Sequence, residues 1–164
     1  MDRSDAMPTQ TRDTLPPGQG LFSRPLFQDP TARALARVGV IDIGSNSVRV
    51  VFDGAARSPA YFYNEKVLCG LGAGFAETGR LSAEGRPRAM AALKRFAALA
   101  SGMNVSALIA VATAAVREAE DGPEFRAEAE AETGLTIHVV DGEEEARLSA
   151  QGVLLGWPGA EGMI

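Results

Sequence analysis

The strongest constraint on the fold is the run Val38-Gly39-Val40-Ile41-Asp42-Ile43-Gly44-Ser45-Asn46-Ser47-Val48-Arg49-Val50-Val51-Phe52-Asp53. Two β-branched apolar segments flank Gly-Ser-Asn-Ser, so the pattern reads as strand, tight reversal, strand, with strands over 38–43 and 48–54. In the second strand Val48, Val50 and Phe52 share one face, and Arg49, Val51 and Asp53 the other. Gly44 has no Cβ to keep an anion away, and Ser45, Asn46 and Ser47 add side-chain donors beside backbone N–H groups. Such a turn can cradle a phosphate, while Asp42 is placed to hold a divalent cation directly or through water. An ordinary hairpin whose aspartate satisfies its own turn accounts for the same residues.

The rest of the chain extends this hairpin into a sheet. A third strand is expected over 60–68, after a turn at Ser58-Pro59. Gly70-Leu71-Gly72-Ala73-Gly74 matches neither G-x-G-x-x-G nor a P-loop and reads as a flexible connector. A helix follows from near Ser82 to Gly102, with Met90, Leu93, Ala97 and Ala100 on its apolar face. Pro87 moves its ordered start toward Gly85–Arg86. Val105–Ala112 reads as a buried strand running into Thr113-Ala114-Ala115-Val116-Arg117. The end of a strand that feeds a helix is where open α/β sheets place ligands, although Arg117 would serve equally as a solvated helix-surface residue. Asp121-Gly122-Pro123 starts another helix that stops at Gly134, its glutamates forming a solvated face. Strand 136–140 then carries His138 on its exposed side, and Asp141 with Glu144 resembles a capping box at the next helix start. Three hairpin-connected strands followed by alternating helix and strand predict an α/β fold, a mixed sheet flanked by helices.

Composition narrows the function classes. A net charge of −5 argues against a general nucleic-acid partner, DNA included. Eleven acidic residues against three arginines between Arg117 and Arg147 leave a phosphate-binding reading short of cations in that segment. Cys69 is the single cysteine, so it makes no intrachain disulfide; it reads as a small buried hydrophobe in a reducing, cytoplasmic setting. With one histidine and one cysteine a zinc finger is excluded, and a Ser-His-Asp triad would require His138. No apolar run approaches the roughly 20 residues of a membrane span, and the N-terminus lacks the apolar stretch of a secretory signal. Five of the nine prolines fall between Pro8 and Pro30, so residues 1–36 are expected to form a disordered tail, with the folded domain over 37–164.

Three segments resemble one family. Asp-Ile-Gly-Ser-Asn-Ser at 42–47 resembles the first phosphate loop of the exopolyphosphatase/guanosine pentaphosphate phosphatase (Ppx/GppA) family, within the actin-like, ribonuclease H-like superfamily. Leu71-Gly72 with its flanking glycines is similar to the segment after that family's third strand, and Thr113–Arg117 to the segment whose arginine contacts the terminal phosphoryl group. Gly142–Leu148 resembles its Gly-x-Glu-Glu-Ala-Arg-Leu segment, whose second glutamate is the catalytic base, here Glu145. The resemblance implies the first actin-like domain of a hydrolase, incomplete at its C-terminus. That hydrolase releases terminal phosphate from inorganic polyphosphate or guanosine pentaphosphate, with Mg²⁺ held by Asp42. The loop Gly44, Ser45, Asn46 and Ser47 and Arg117 would grip the transferred group, and a homodimer is expected of the whole protein. Met163-Ile164 looks like the start of the strand that leads, in the family, to a second phosphate loop, so weak or absent activity is expected of this stretch alone. Two other readings stay open: an actin-like sugar or acetate kinase, and a non-catalytic nucleotide- or polyphosphate-sensing module.

Overall fold

The computed structural model describes residues 37–53 and 61–156. Its elements are β1 (Val38–Ile43), β2 (Ser47–Asp53), β3 (Tyr61–Leu68), α1 (Phe75–Thr78), α2 (Gly85–Gly102), β4 (Ala107–Ala112), α3 (Ala114–Glu118), α4 (Gly122–Thr133), β5 (Ile137–Val139) and α5 (Gly142–Gly156). The expected tail, the Ser58-Pro59 turn, the loop at Trp157-Pro158 and the strand at Met163-Ile164 lie outside the described residues.

The five strands form one mixed sheet in the order β3-β2-β1-β4-β5. β1, β2 and β3 pair antiparallel, as short reversals allow, whereas β4 joins β1 and β5 joins β4 in parallel through helical crossovers. Alternation decides which side is covered. Gly39, Ile41 and Ile43 of β1 and Val48, Val50 and Phe52 of β2 are buried, while Val40, Asp42 and Arg49 face the other way and are exposed. α2 packs on the buried face of β1 and β2, and α4 packs beside α2 and α3. Phe52, Phe96 and Phe125 are the bulkiest fully buried side chains, each contributing about 2–3 kcal/mol of transfer free energy.

α2 starts at Gly85, as Pro87 required. Ser82 still serves it: its hydroxyl accepts the Gly85 N–H at 3.1 Å and its carbonyl the Arg86 N–H at 2.9 Å. The buried face carries Ala89, Met90, Ala92, Leu93, Phe96 and Ala100, with Ala97 half-buried against it. α4 carries Pro123 in its first turn and ends at Gly134, whose φ of 71° is the left-handed cap favourable to glycine. The four-residue α1 has no apolar repeat and was not expected.

Two surface expectations need correction. The acidic face of α4 is not simply solvated: Glu124 and Glu128 bind Arg86, and Glu132 binds Lys94, both from α2. Arg86 and Lys94 thus offset part of the acidic excess after Arg117 across the α2–α4 seam. His138 is half-buried rather than exposed, and burial first, with nearby Arg126 second, holds its imidazole below the ordinary pKa against the pull of Glu130.

Candidate functional site

The parallel strands β1, β4 and β5 run in one direction, so their C-terminal ends open on one edge of the sheet. Three stretches leave that edge: the 44–47 turn after β1, Thr113–Arg117 after β4, and Val140–Glu145 after β5. Backbone bonds stitch them together, Thr113 donating to the Ile43 carbonyl at 3.2 Å and Val140 to the Ala112 carbonyl at 3.0 Å. Residues distant in sequence thus meet outside the carboxyl ends of β1 and β4, from which the chain leads to opposite sides of the sheet, the position where open α/β sheets bind ligands.

The turn is closed by its own first amide. Gly44 N–H donates to the Ser47 carbonyl at 3.0 Å, so any donors for an anion must come from Ser45 onward. Ser45 and Asn46 are exposed and Ser47 half-buried. A Cβ added at Gly44 would lie 3.4 Å from the Ser47 carbonyl oxygen, an ordinary contact, so the fold by itself does not demand glycine there.

The glycine-rich stretch after β3 is a buttress for this turn, not a flexible connector. Cys69 and Gly70 N–H both donate to the Asn46 carbonyl at 3.0 Å, and Gly72 N–H donates to the Ser45 carbonyl at 2.8 Å. A Cβ on Gly72 would come within 3.1 Å of the Ser45 Cβ, which explains the glycine by close approach. Leu71, fully buried, and Cys69, 1% exposed, anchor the stretch from below. Burial also raises the Cys69 thiol pKa, in keeping with a packing role. Sequence carried only a hint of this: glycines spaced too closely for a nucleotide fingerprint, with no way to read that they abut the first turn.

Asp42 projects from the sheet face opposite the core. It is accessible to solvent, yet enough protein surrounds it that desolvation raises its pKa, and the Glu145 carboxylate raises it further. Arg49 and Lys66 oppose the rise. Those two cations are aligned with Asp42 by register, Asp42 opposite Arg49 on β2 and Arg49 opposite Lys66 on β3. They supply basic groups beside the turn that the acidic 117–147 segment lacks. Strand alternation put Arg49 on this face; Lys66 needed the register as well. The Glu145 carboxylate is near enough to act electrostatically on Asp42, and carboxylate oxygens are the donors a hard divalent cation takes. No group of three or more His, Cys, Asp or Glu residues able to hold a metal occurs among the described residues.

Arg117 and Glu145 meet. Arg117 Nη1 donates to the Val140 carbonyl at 2.9 Å and to Glu145 Oε2 at 3.2 Å, and Nη2 donates to Glu118 Oε1 at 2.8 Å. Glu118 is a partner that the sequence did not reveal, because any glutamate next to an arginine can rotate into solvent. Glu145 sits in the first turn of α5, whose start is set by Asp141: its carboxylate accepts the Glu144 N–H at 2.8 Å. Glu144 does not complete a reciprocal box; its carboxylate binds Arg147 at 2.7 and 2.5 Å.

The sheet order, its helical cover and the grouping of a polar turn, an arginine and two carboxylates on one edge define an actin-like α/β half-domain. The family model of the Ppx/GppA phosphatase family matches residues 37–164, and the chain belongs to that family. It is 30% identical over 115 residues to exopolyphosphatase 1 of Mycobacterium tuberculosis, covering 69% of this chain and 33% of the relative. Among solved structures it is similar to the Aquifex aeolicus Ppx/GppA family member, with a TM-score of 0.70 and 30% identity over 76% of this chain and 41% of that one. An exopolyphosphatase from Cytophaga hutchinsonii gives 0.66 and 33%, covering 71% and 38%. The chain thus spans about a third of the length of the curated relatives it matches.

Proposed function

We propose that residues 37–164 form the first domain of a phosphatase that hydrolyses a terminal phosphoric anhydride, with inorganic polyphosphate or guanosine pentaphosphate as substrate. The observation that carries the reading is the contact of Arg117 with Glu145 beside the 44–47 turn. It groups an anion grip, a cationic clamp and a carboxylate base, which is what phosphoryl transfer to water needs.

The roles follow from the chemistry. Ser45, Asn46 and Ser47 offer donors to the terminal phosphoryl oxygens, and Gly44 leaves them room to approach. Arg117 neutralises charge on the transferred group. Its pair with Glu145 is part-exposed, at 26% and 40% side-chain accessibility, and such pairs contribute about 1 kcal/mol or less. A multiply charged phosphoryl group can therefore displace Glu145 from the guanidinium while the Val140 carbonyl keeps Arg117 in place. Released toward solvent, the Glu145 carboxylate accepts a proton from the attacking water as its oxygen bonds to phosphorus and the bridging P–O bond breaks. Asp42 would hold Mg²⁺, which when bound neutralises phosphate charge.

A cytoplasmic location fits a polyphosphate or guanosine nucleotide substrate. No described helix is long and apolar enough to cross a membrane. Because the match covers only 33% of the curated relatives, residues 1–164 alone are expected to release phosphate weakly or not at all. A homodimer remains our expectation for the full-length protein.

The test is phosphate release by the full-length protein from polyphosphate and from guanosine pentaphosphate in Mg²⁺, with Glu145→Gln in parallel. Turnover is expected to fall about 10²–10⁴-fold in the variant with substrate affinity retained. ATP-dependent phosphorylation of a small acceptor, or substrate binding without turnover by the unaltered protein, would overturn the reading.

A further inference from the structure

Asp121 is the one buried charged side chain among the described residues, 5% exposed, and it lies outside the site. A carboxylate is costly to bury unless it is paired and hydrogen-bonded. Its position before α4 suggests a helix cap, yet it makes no side-chain bond to that helix. Its oxygens turn instead to the segment before α2 and to the first turn of α2 itself. Oδ1 accepts the Leu81 N–H at 2.9 Å, Oδ2 accepts Arg86 Nη1 at 2.9 Å, and Arg80 lies 3.8 Å away. Arg86 stands over the Phe125 ring, 5.8 Å from its centroid, which fixes the guanidinium from above.

What this tie holds is informative. On one side, Ser82 N–H donates to the Leu71 carbonyl at 2.9 Å, and the next residue, Gly72, donates to Ser45. The Leu81 end of the tie is therefore fastened to the buttress of the 44–47 turn. On the other side, Asp121 belongs to the 119–122 turn, which closes with Gly122 N–H on the Ala119 carbonyl at 3.0 Å. That turn is pressed against α3, since a Cβ on Gly122 would lie 1.9 Å from the Val116 carbonyl oxygen. A second backbone bond, Glu120 N–H to the Gly79 carbonyl at 3.0 Å, runs parallel to the Asp121 contact. α3 has five residues, too few to hold a helix or its orientation unaided, and it carries Arg117.

We propose that Asp121 is a positioning residue that sets Arg117 relative to the phosphate-binding turn, through Leu81 and the 70–72 buttress on one side and Gly122 against α3 on the other. The proposal rests on the reading of Arg117 as the clamp on the transferred group. The burial of Asp121 works against its ionisation, but the Leu81 amide and the arginines outweigh it, so the carboxyl is held below its ordinary pKa and the tie stays charged at neutral pH.

The experiment is a double-mutant cycle in the full-length enzyme, with kcat/KM for phosphate release measured for Asp121→Ala, Arg117→Ala and the pair, and melting temperature recorded for each. A clamp displaced by about 1 Å costs up to roughly 100-fold, so Asp121→Ala is expected to lose about 10–100-fold in the unaltered background. On the Arg117→Ala background it should lose less than about 3-fold, because the group it positions is gone. Asp121→Asn keeps an acceptor for Leu81 and should recover most of the loss; it also carries the cycle if the alanine variant does not fold. Equal losses in both backgrounds mean that Asp121 only stabilises the fold, and the proposal falls. Unchanged kcat/KM in a folded Asp121→Ala enzyme also overturns it. An Arg117→Ala enzyme with full turnover overturns the reading of Arg117 instead, and the proposal with it.

Discussion

The two halves of the candidate site are held by different kinds of bond. Among the described residues the 44–47 turn is fixed by backbone hydrogen bonds: Gly44 to Ser47, Cys69 and Gly70 to Asn46, and Gly72 to Ser45. The opposite half, Arg117 with the start of α5, is held largely by side chains that remain part-exposed: Glu118, Glu145, Asp141, and Glu144 with Arg147. Beyond its first turns α5 is poorly covered, and Val153, Leu154 and Leu155 are 43%, 47% and 64% exposed. Backbone bonds depend neither on pH nor on any one side chain, whereas exposed ion pairs contribute little each and are readily exchanged. The turn is accordingly preformed, and the half that carries the proposed base would be free to re-pair on binding a phosphoryl group.

The largest effect should come from breaking the rigid half. Gly72→Val places a branched side chain where even a Cβ comes within 3.1 Å of Ser45. The turn would have to leave its buttress, and KM for polyphosphate should rise by about tenfold or more, of the order expected from misplacing a grip by an ångström. Arg117 and Glu145 bond to Val140, Glu118 and each other rather than to the buttress, so single-turnover chemistry at saturating substrate should change far less. A Gly72→Val enzyme with unchanged KM would show that the buttress is dispensable.

How much of this was legible in the sequence depends on the range of the interaction. Local rules located β1 and β2 nearly to the residue, because alternation and the Gly-Ser-Asn-Ser reversal act over two to four positions. They also placed Pro87, Gly134 and the Asp141 cap correctly. Resemblance singled out Arg117 and Glu145, and the sheet brings them together. What could not be read were contacts made by register and crossover. The glycines at 70–74 looked like a connector because the residue that needs the small size of Gly72, Ser45, lies some 27 positions earlier in the chain. Lys66 joins Asp42 only through two strand pairings. Asp121 reads as a helix cap until Leu81 and Arg86 are found on its oxygens.

A smaller effect should come from loosening the adjustable half. Glu118 occupies Arg117 Nη2, and under the proposed role of Arg117 it would compete there with the substrate. Glu118→Gln removes that competitor's charge, and since an exposed pair is worth about 0.2–1 kcal/mol, KM should fall by about 1.5–5-fold with kcat little changed. A rise in KM would mean that Glu118 aims Arg117 rather than occupying it, and the adjustable half would then be more preorganised than its exposure suggests.

The smallest effect separates the halves by acid. Hydrogen bonding to Arg147 holds the Glu144 carboxyl below its ordinary value near 4.5, burial opposing only in part. A carboxyl whose folded pKa is depressed stabilises the fold above its unfolded value, and that contribution is lost as pH falls through the folded value. Between neutrality and about pH 5 the first turns of α5 should therefore be unaffected, and below pH 4.5 they should begin to loosen. Exposed i,i+3 pairs contribute about 0.3–0.5 kcal/mol, which is close to a twofold fall in local protection. Amide exchange, corrected for its intrinsic pH dependence, should show that fall at the start of α5. The Gly70 and Gly72 amides, bonded to carbonyls that do not titrate, should keep their protection over the same range. Glu144→Gln should flatten the response of α5 alone. If acid releases both segments together, or the variant remains as acid-sensitive as the unaltered chain, then the start of α5 is not held by this pair, and the contrast between a backbone-built half and a charge-built half fails at that point.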